Sequence, residues 1–363
     1  MKALAWAGAV LLAVLAGVFL IFQGLQDFEL SEYESRSIVF PFEGYSVAGT
    51  LHLPRAKSPK PETPALVLLV HGDGPADRYS GGGYLPLISS LLDNGMAVFS
   101  WDKPGVGASE GNWLSFSMED RARLAATALA AAREQPELAA SAAGFLGFSQ
   151  AGWVLPILAE DPAQGDFFVI VGGAVNWLHQ SGYYTRRRLE LAGADSTTLD
   201  KALAQDTEDG QSFLDGTFSY QDYLDSGMDT TPMPEDRFEF ALRNAAADST
   251  AALARISAPV LTVHGEEDLN VDPDFNSGVY RKILKDRNPA NRFVIFPGAT
   301  HALLRADAFN YQLEGQMPEW SKALFTVLGR RAYAPGALDT ITAWINAQAA
   351  SAYARPTSSD RSN

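Results

Sequence analysis

One serine stands where the residue pattern predicts a strand that turns sharply into a helix. Residues 147–152 read Gly-Phe-Ser-Gln-Ala-Gly, with an apolar run before them and a helix-compatible segment after them. At the apex of such a turn, Ser149 would present its hydroxyl as a nucleophile to a carbonyl carbon. The strict form of this motif has a second Gly where the chain has Ala151, so the motif alone also fits an ordinary turn.

A serine hydroxyl becomes a strong nucleophile only beside a base that a carboxylate orients. His301 lies in a loop after the last predicted strand, and strand ends are where loops meet ligands in a parallel sheet. The preceding strand is followed by three acids, Glu266, Glu267 and Asp268, and the residues alone do not choose between them. The chain order serine, acid, histidine is one in which such triads occur. The other histidines are interpreted as structural or fall in a helical segment: His52, His71, His179 and His264.

A tetrahedral intermediate also needs backbone donors for its oxyanion, each worth about 3 kcal/mol. One predicted donor is the N–H of Gln150, directly after the serine. The other is expected from the loop Gly72-Asp73-Gly74, which follows an apolar strand, and is assigned to Asp73. The side chain of Asp73 must then turn away, because a carboxylate pointing inward would oppose the developing charge. A phosphate-binding loop is the alternative, but neither of its glycine-rich signatures is present.

Strands that alternate with helices must bring these distant residues together. The pattern predicts an α/β fold with a doubly wound, mostly parallel sheet, preceded by a hairpin that turns at Glu43-Gly44. Three helices are predicted in a long insertion, over residues 177–191, 197–214 and 236–247. The predicted organisation is a transmembrane anchor over 1–23, a linker over 24–36, a core over 37–174, a helical cap over 175–258, the rest of the core over 259–350 and a disordered tail over 351–363.

Composition and charge exclude several classes of protein. The net charge of -15 argues against binding nucleic acid, which requires a basic face. Without cysteine there is no disulfide, thiolate catalysis or cysteine-bound zinc. The apolar, uncharged run over residues 3–22 is long enough to cross a bilayer, and acids follow it. We therefore expect a membrane anchor with the catalytic part in the periplasm or outside the cell; secretion after signal cleavage is the alternative. The oligomeric state stays open.

Two loops carry a resemblance to a known family. Residues 71–78 read His-Gly-Asp-Gly-Pro-Ala-Asp-Arg, and residues 102–111 match Asp-x-x-Gly-x-Gly-x-Ser-x-Gly. Over about residues 37–175 and 256–350, the chain resembles the α/β-hydrolase family and is most similar to its bacterial serine esterases. The resemblance implies the α/β-hydrolase fold, with Ser149 as nucleophile, Asp268 as acid and His301 as base. It departs from the family at three positions: Phe148 replaces a frequent His, Ala151 the usual Gly and Pro104 a common Arg.

The resemblance implies a serine hydrolase that cleaves carboxylic esters of small molecules through an acyl-enzyme, with no metal or cofactor. Peptidase or thioesterase activity on the same fold is the alternative, and a binding protein without turnover is a second one. Aromatic residues of the cap are expected to form its own core or to line an acyl pocket. Residues 186–188, three arginines, are expected to be a solvated helix face or to meet an anionic group of the substrate.

Overall fold

The computed structural model describes residues 2–55, 63–226 and 232–354. They form one eight-stranded sheet in the order β1-β2-β4-β3-β5-β6-β7-β8. The strands are β1 Glu34–Phe42, β2 Tyr45–Leu53, β3 Leu66–Val70, β4 Ala97–Trp101, β5 Ala143–Phe148, β6 Phe167–Val171, β7 Val260–Gly265 and β8 Arg292–Phe296. From β3 to β8 all pairs are parallel, whereas β1 and β2 form an antiparallel hairpin and β2 pairs antiparallel with β4. The predicted α/β-hydrolase fold with a mostly parallel sheet is confirmed.

Helices cover both faces of the sheet and make its central strands fully buried. The helices are α1 Lys2–Gln26, α2 Leu85–Asp93, α3 Met118–Arg133, α4 Ala151–Leu158, α5 Trp177–Leu191, α6 Ser196–Leu214, α7 Tyr220–Ser226, α8 Glu235–Asn244, α9 Thr250–Leu253, α10 Pro273–Leu284, α11 Ala306–Phe309, α12 Glu319–Leu328 and α13 Ala337–Tyr353. Every residue of β3, β4, β6 and β7 is buried, which explains why these strands are apolar without alternation. Two hydrophobic clusters, one on each face, therefore enclose the sheet.

The hairpin turns where the sequence predicts it. Phe42 pairs with Tyr45, so Glu43 and Gly44 are the two turn residues. Both have a positive φ, of 49° and 86° respectively. Two such residues form the turn whose twist matches that of the flanking strands.

In the described part of the chain, five helices follow β6 before the sheet resumes in β7. We call residues 175–258 the cap. The helix predicted over 177–191 has the observed bounds of α5, and the predictions over 197–214 and 236–247 correspond to α6 and α8 within three residues. The prediction misses α7 and α9, both of them short helices. At the other end of the chain, α13 reaches Tyr353, whose hydroxyl donates to the Thr63 carbonyl at 3.2 Å. The remainder of the predicted disordered tail, residues 355–363, lies outside the described residues.

The predicted transmembrane anchor over residues 3–22 is not supported. Of the helices in the described part of the chain, none has the combined length and hydropathy that a bilayer crossing requires. The end of α1 packs on the α/β domain: Arg331 donates to the Leu20 carbonyl, and a Cβ at Gly24 would lie 1.8 Å from the Val327 oxygen. The location of the domain outside the cytoplasm stays a prediction.

Candidate active site

Ser149 occupies a strained turn between β5 and α4. Its φ is +53°, which is uncommon for a residue with a side chain and marks stored backbone strain. The turn is held from both sides, because the Ser149 N–H donates to the Val171 carbonyl at 2.9 Å and its carbonyl accepts from Gly152 at 2.8 Å. A Cβ at Gly147 would lie 2.4 Å from the Cβ of Ala151. The turn therefore tolerates Ala151 because the facing position is Gly.

Asp268 and His301 meet at the carboxyl ends of β7 and β8. The Asp268 Oδ2 atom lies 2.7 Å from the His301 Nδ1 atom. Its other oxygen accepts the N–H groups of Asn270 at 2.7 Å and Val271 at 2.9 Å, and the Asp268 side chain is fully buried. Since all three contacts fix the carboxylate, it can hold the Nδ1 edge of the imidazole ring in place.

The two neighbouring acids do not share this place. Glu266 and Glu267 are exposed, and the Glu266 carboxylate accepts the Gly298 N–H at 3.1 Å. Of the three acids that the sequence leaves open, Asp268 is the buried one, and its carboxylate contacts the imidazole of His301.

The imidazole of His301 lies beside the residues that hold the serine turn. A Cβ at Gly172, whose φ is +56°, would be 2.8 Å from His301 Nδ1 and 2.9 Å from Cε1. Gly172 directly follows Val171, which accepts the Ser149 N–H. Among the described residues, no hydrogen bond holds the Ser149 hydroxyl, and in unliganded sites such bonds often tighten only with substrate. The structure thus brings Ser149, His301 and Asp268 to one end of the sheet.

The environment of His301 makes it a stronger base. Burial by itself lowers the pKa of this imidazole, but the charge of Asp268 and the hydrogen bond to it outweigh burial and raise the pKa above its usual value. The bond to Asp268 also places a proton on Nδ1 and leaves Nε2 able to accept one.

Two backbone donors flank the serine. A Cβ at Gly72 would lie 3.1 Å from the Ser149 Cβ, so the loop after β3 passes directly beside the hydroxyl. Within the described chain, the N–H groups of Asp73 and Gln150 donate to no other residue. The Asp73 carboxylate forms a bidentate pair with Arg237 of α8 at 2.7 and 2.5 Å. The predicted oxyanion donors therefore have free N–H groups next to Ser149.

Sequence reasoning missed two buried cations behind this loop. The Lys103 ammonium donates to the carbonyls of Gly72 at 2.6 Å and Gly74 at 2.7 Å. Arg121 of α3 donates to the His71 carbonyl at 2.5 Å and to the Gln150 side chain at 2.7 Å. Burial and the charge of Arg121 lower the pKa of Lys103 well below its usual value. Lys103 lies in the motif at residues 102–111, so the sequence offered a reason to consider a role for it. For Arg121 the sequence gives no such signal.

The two motif loops are joined by a buried ion pair. Asp102 accepts from the Arg78 guanidinium at 2.9 and 2.6 Å and from the Ala108 N–H at 2.9 Å. Its carboxylate is thereby fully engaged, which supports the interpretation of Asp102 as a structural turn former.

Most aromatic residues of the cap pack on one another. Phe238 is fully buried and is surrounded by other rings: Phe213, Phe218, Tyr220 and Tyr223. These rings form the core of the cap rather than the wall of a pocket. Tyr183 differs, because its hydroxyl donates to the Asp268 carbonyl at 2.7 Å and ties α5 to the acid loop. Arg186 and Arg188 are exposed, and Arg187 pairs with Glu190 at 2.5 Å within the same helix.

Comparisons with known proteins agree with this fold. The family model described as serine aminopeptidase, S33, matches residues 61–307, more than half of the chain. No curated protein matches the chain. Among solved structures, the chain is similar to DcsB in complex with a substrate analogue, with a TM-score of 0.55, 15% identity and coverage of 88% of this chain and 99% of that one.

Two esterases are similar to the same degree. Est1E from Butyrivibrio proteoclasticus with bound ferulic acid has a TM-score of 0.53 and 16% identity, and the match covers 88% of this chain and 100% of Est1E. The esterase Pf2001 from Pyrococcus furiosus has a TM-score of 0.52 and 15% identity, over 83% of this chain and 92% of that one. At such identities these structures share the fold with this chain.

Proposed function

Because the chain belongs to the serine aminopeptidase S33 family of α/β-hydrolases, we propose that it is a serine hydrolase that cleaves carboxylic esters through an acyl-enzyme intermediate. The observation that carries the proposal is the Asp268–His301 contact of 2.7 Å, with the imidazole packed beside the strained turn of Ser149.

The reaction uses the groups in a fixed sequence. The Ser149 oxygen attacks the ester carbonyl while its proton passes to Nε2 of His301, and Asp268 stabilises the resulting imidazolium. The carbonyl electron pair moves onto the oxygen, and the resulting oxyanion accepts hydrogen bonds from the N–H groups of Asp73 and Gln150. Collapse of this intermediate expels the alcohol, which takes the proton from His301. Water then attacks the acyl-enzyme by the same steps, and the acid and free Ser149 are released.

Two solved structures of the same fold are esterases, one of them with bound ferulic acid, and this likeness supports an ester as the substrate. The name of the family model favours a second candidate, removal of amino-terminal residues from peptides. Both reactions use the same acyl-enzyme, so they differ only in the leaving group and the substrate pocket. A panel of p-nitrophenyl esters, aminoacyl p-nitroanilides and acyl thioesters separates them by kcat/KM. The proposal expects the highest value for an ester.

The nucleophile is tested with a fluorophosphonate probe and the variant Ser149→Ala. We expect the wild-type protein to be labelled and Ser149→Ala to lose both labelling and ester hydrolysis, by about 10³-fold or more. Ser212→Ala is the matched control, because the Ser212 hydroxyl only donates to the Glu208 carbonyl within α6 of the cap. Ester hydrolysis that survives Ser149→Ala at the wild-type rate would refute the proposal.

A further inference from the structure

Two basic side chains are buried behind the candidate oxyanion loop without a carboxylate in direct contact among the described residues. Lys103 is 4% exposed and Arg121 is 8% exposed. Neither forms an ion pair with any residue that the structure describes. Removing a charge from water is costly unless other groups compensate for the loss of hydration. Here the nearby charge of Asp73 favours both cations, and the direct contacts of both include backbone carbonyls. These contacts show what the two side chains do.

Lys103 donates hydrogen bonds to the loop on both sides of Asp73. The carbonyl of Gly72 and the N–H of Asp73 belong to one peptide group, and in a planar trans peptide they point in opposite directions. The ammonium of Lys103, 2.6 Å from the Gly72 oxygen, therefore directs the Asp73 N–H to the other side of the loop. The second contact, 2.7 Å to the Gly74 oxygen, fixes the following part of the turn. A hydrogen bond received at the carbonyl end also polarises the peptide and strengthens its N–H as a donor.

Arg121 joins this peptide to the second donor. One guanidinium nitrogen contacts the carbonyls of His71 at 2.5 Å and Gly72 at 3.3 Å. The other donates to the Gln150 side chain at 2.7 Å. The residue after the nucleophile and the loop after β3 are thus linked through one side chain of α3.

The cations act through the loop and do not contact substrate. Lys103 and Arg121 line a cavity of about 20 Å³, which has room for about one water molecule and none for an acyl chain. On its other side, the Lys103 ammonium lies 4.5 Å from the centre of the Trp113 ring. The Trp113 indole shields the ammonium there.

We propose that Lys103 is a positioning residue that directs the Asp73 N–H toward the oxyanion, and that Arg121 couples this donor to Gln150. The inference rests on the proposed function, because it needs a negatively charged oxygen to form beside Ser149. According to this inference, the two buried cations help to stabilise the transition state and contribute little to binding of the ester before it reacts.

The test is Lys103→Met, which keeps the length of the stem and removes the donors. We expect kcat for a p-nitrophenyl ester to fall about 10- to 100-fold, with KM changed less than threefold, since the oxyanion forms only after binding. Affinity for a trifluoromethyl ketone, whose adduct with the serine carries an oxyanion, should fall by the same factor as kcat. If Lys103 had only a structural role, the variant would be less stable, but kcat and the affinity for the ketone would not fall by the same factor.

Arg330→Met is the matched control. Arg330 is a half-buried cation that pairs with Asp27 at 2.6 Å and Asp93 at 2.9 Å, on the side where α1 packs. We expect it to lower the melting temperature and to leave kcat within twofold of the wild-type value. If Lys103→Met does not fold, Lys103→Gln is measured in its place. Its amide can still donate to one carbonyl, so we expect a smaller fall in kcat, again with an equal fall in ketone affinity; unchanged kcat and ketone affinity in a folded Lys103→Gln protein would overturn the role of Lys103.

The possible failures are distinguishable. A wild-type protein that the fluorophosphonate probe does not label at Ser149 overturns the proposed function. A labelled, active wild type with a folded Lys103→Met variant that keeps kcat and ketone affinity within twofold overturns the role of Lys103 alone.

Discussion

Replacing Asp268 by Asn tests the acid of the proposed triad with almost no change in volume. The Asp268 carboxylate accepts three donors: two backbone N–H groups on one oxygen and His301 Nδ1 on the other. An amide has only one accepting oxygen. Because turning its NH₂ toward the backbone would set donors against two buried N–H groups, the oxygen stays with the backbone and the NH₂ faces His301.

This orientation reverses the tautomer of the imidazole. An NH₂ group donates, so Nδ1 of His301 must accept and the ring proton moves to Nε2. With a proton already there, Nε2 cannot take the proton of Ser149. Loss of the tautomer in a triad of this kind reduces kcat about 10⁴-fold, which corresponds to about 5.4 kcal/mol at 1.36 kcal/mol per factor of ten. We expect a loss of about 10³- to 10⁴-fold for Asp268→Asn in this chain.

The assay is steady-state hydrolysis of p-nitrophenyl butyrate, with circular dichroism and thermal melting to confirm that the variant is folded. Glu267→Gln is the matched control, because Glu267 is exposed and lies directly before the acid. It should retain kcat within twofold. A folded Asp268→Asn protein with kcat within tenfold of the wild-type value would refute the reasoning, since the tautomer would then not matter.

Three further predictions follow from the same contacts. A protonated His301 cannot act as a base, and its pKa is raised above 6.5, so kcat/KM should rise with pH with its midpoint above 6.5; a midpoint below that value contradicts the raised pKa. Gly172→Ala places a methyl group 2.8 Å from Nδ1 of His301 and should lower kcat at least tenfold, whereas Gly298→Ala, also at positive φ but with no atom within 4 Å, should cost only about 1 kcal/mol of stability. Arg237→Gln and Asp73→Asn break the same pair, so each should lower kcat about two- to tenfold and the double variant no further; additive losses in a double-mutant cycle would contradict this.

The sheet was predictable because its strands are buried on both faces. Continuous apolar runs such as residues 65–70 and 167–171 have no other simple interpretation when turn residues and helical patterns alternate with them. The catalytic candidates then follow from chain order, since parallel strands place their carboxyl ends at one edge. The bounds of α5 in the cap were also predicted closely. The start of this helix is well defined, because the Asn176 side chain accepts the His179 N–H and caps it.

The contacts that refine the site were not predictable. Arg237 lies 164 residues from Asp73, and Arg121 lies 50 residues from His71. Whether such an arginine points to water or into the domain depends on the path of loops and on the position of the cap, which no local pattern encodes. The apolar run at the amino terminus is a different case, because its length and composition predicted a membrane span that no helix in the described part of the chain supports.

The charges around the proposed site are separated in the direction that ester cleavage requires. As Ser149 attacks, a positive charge appears on His301 and a negative charge on the former carbonyl oxygen. The carboxylate of Asp268 adjoins the imidazole, whereas the cations Lys103 and Arg121 lie behind the donor loop. The Asp73 carboxylate of that loop is paired with Arg237. Under the proposed mechanism both charges therefore form in a favourable field that is already in place before substrate binds, so no side chain has to reorganise to create it.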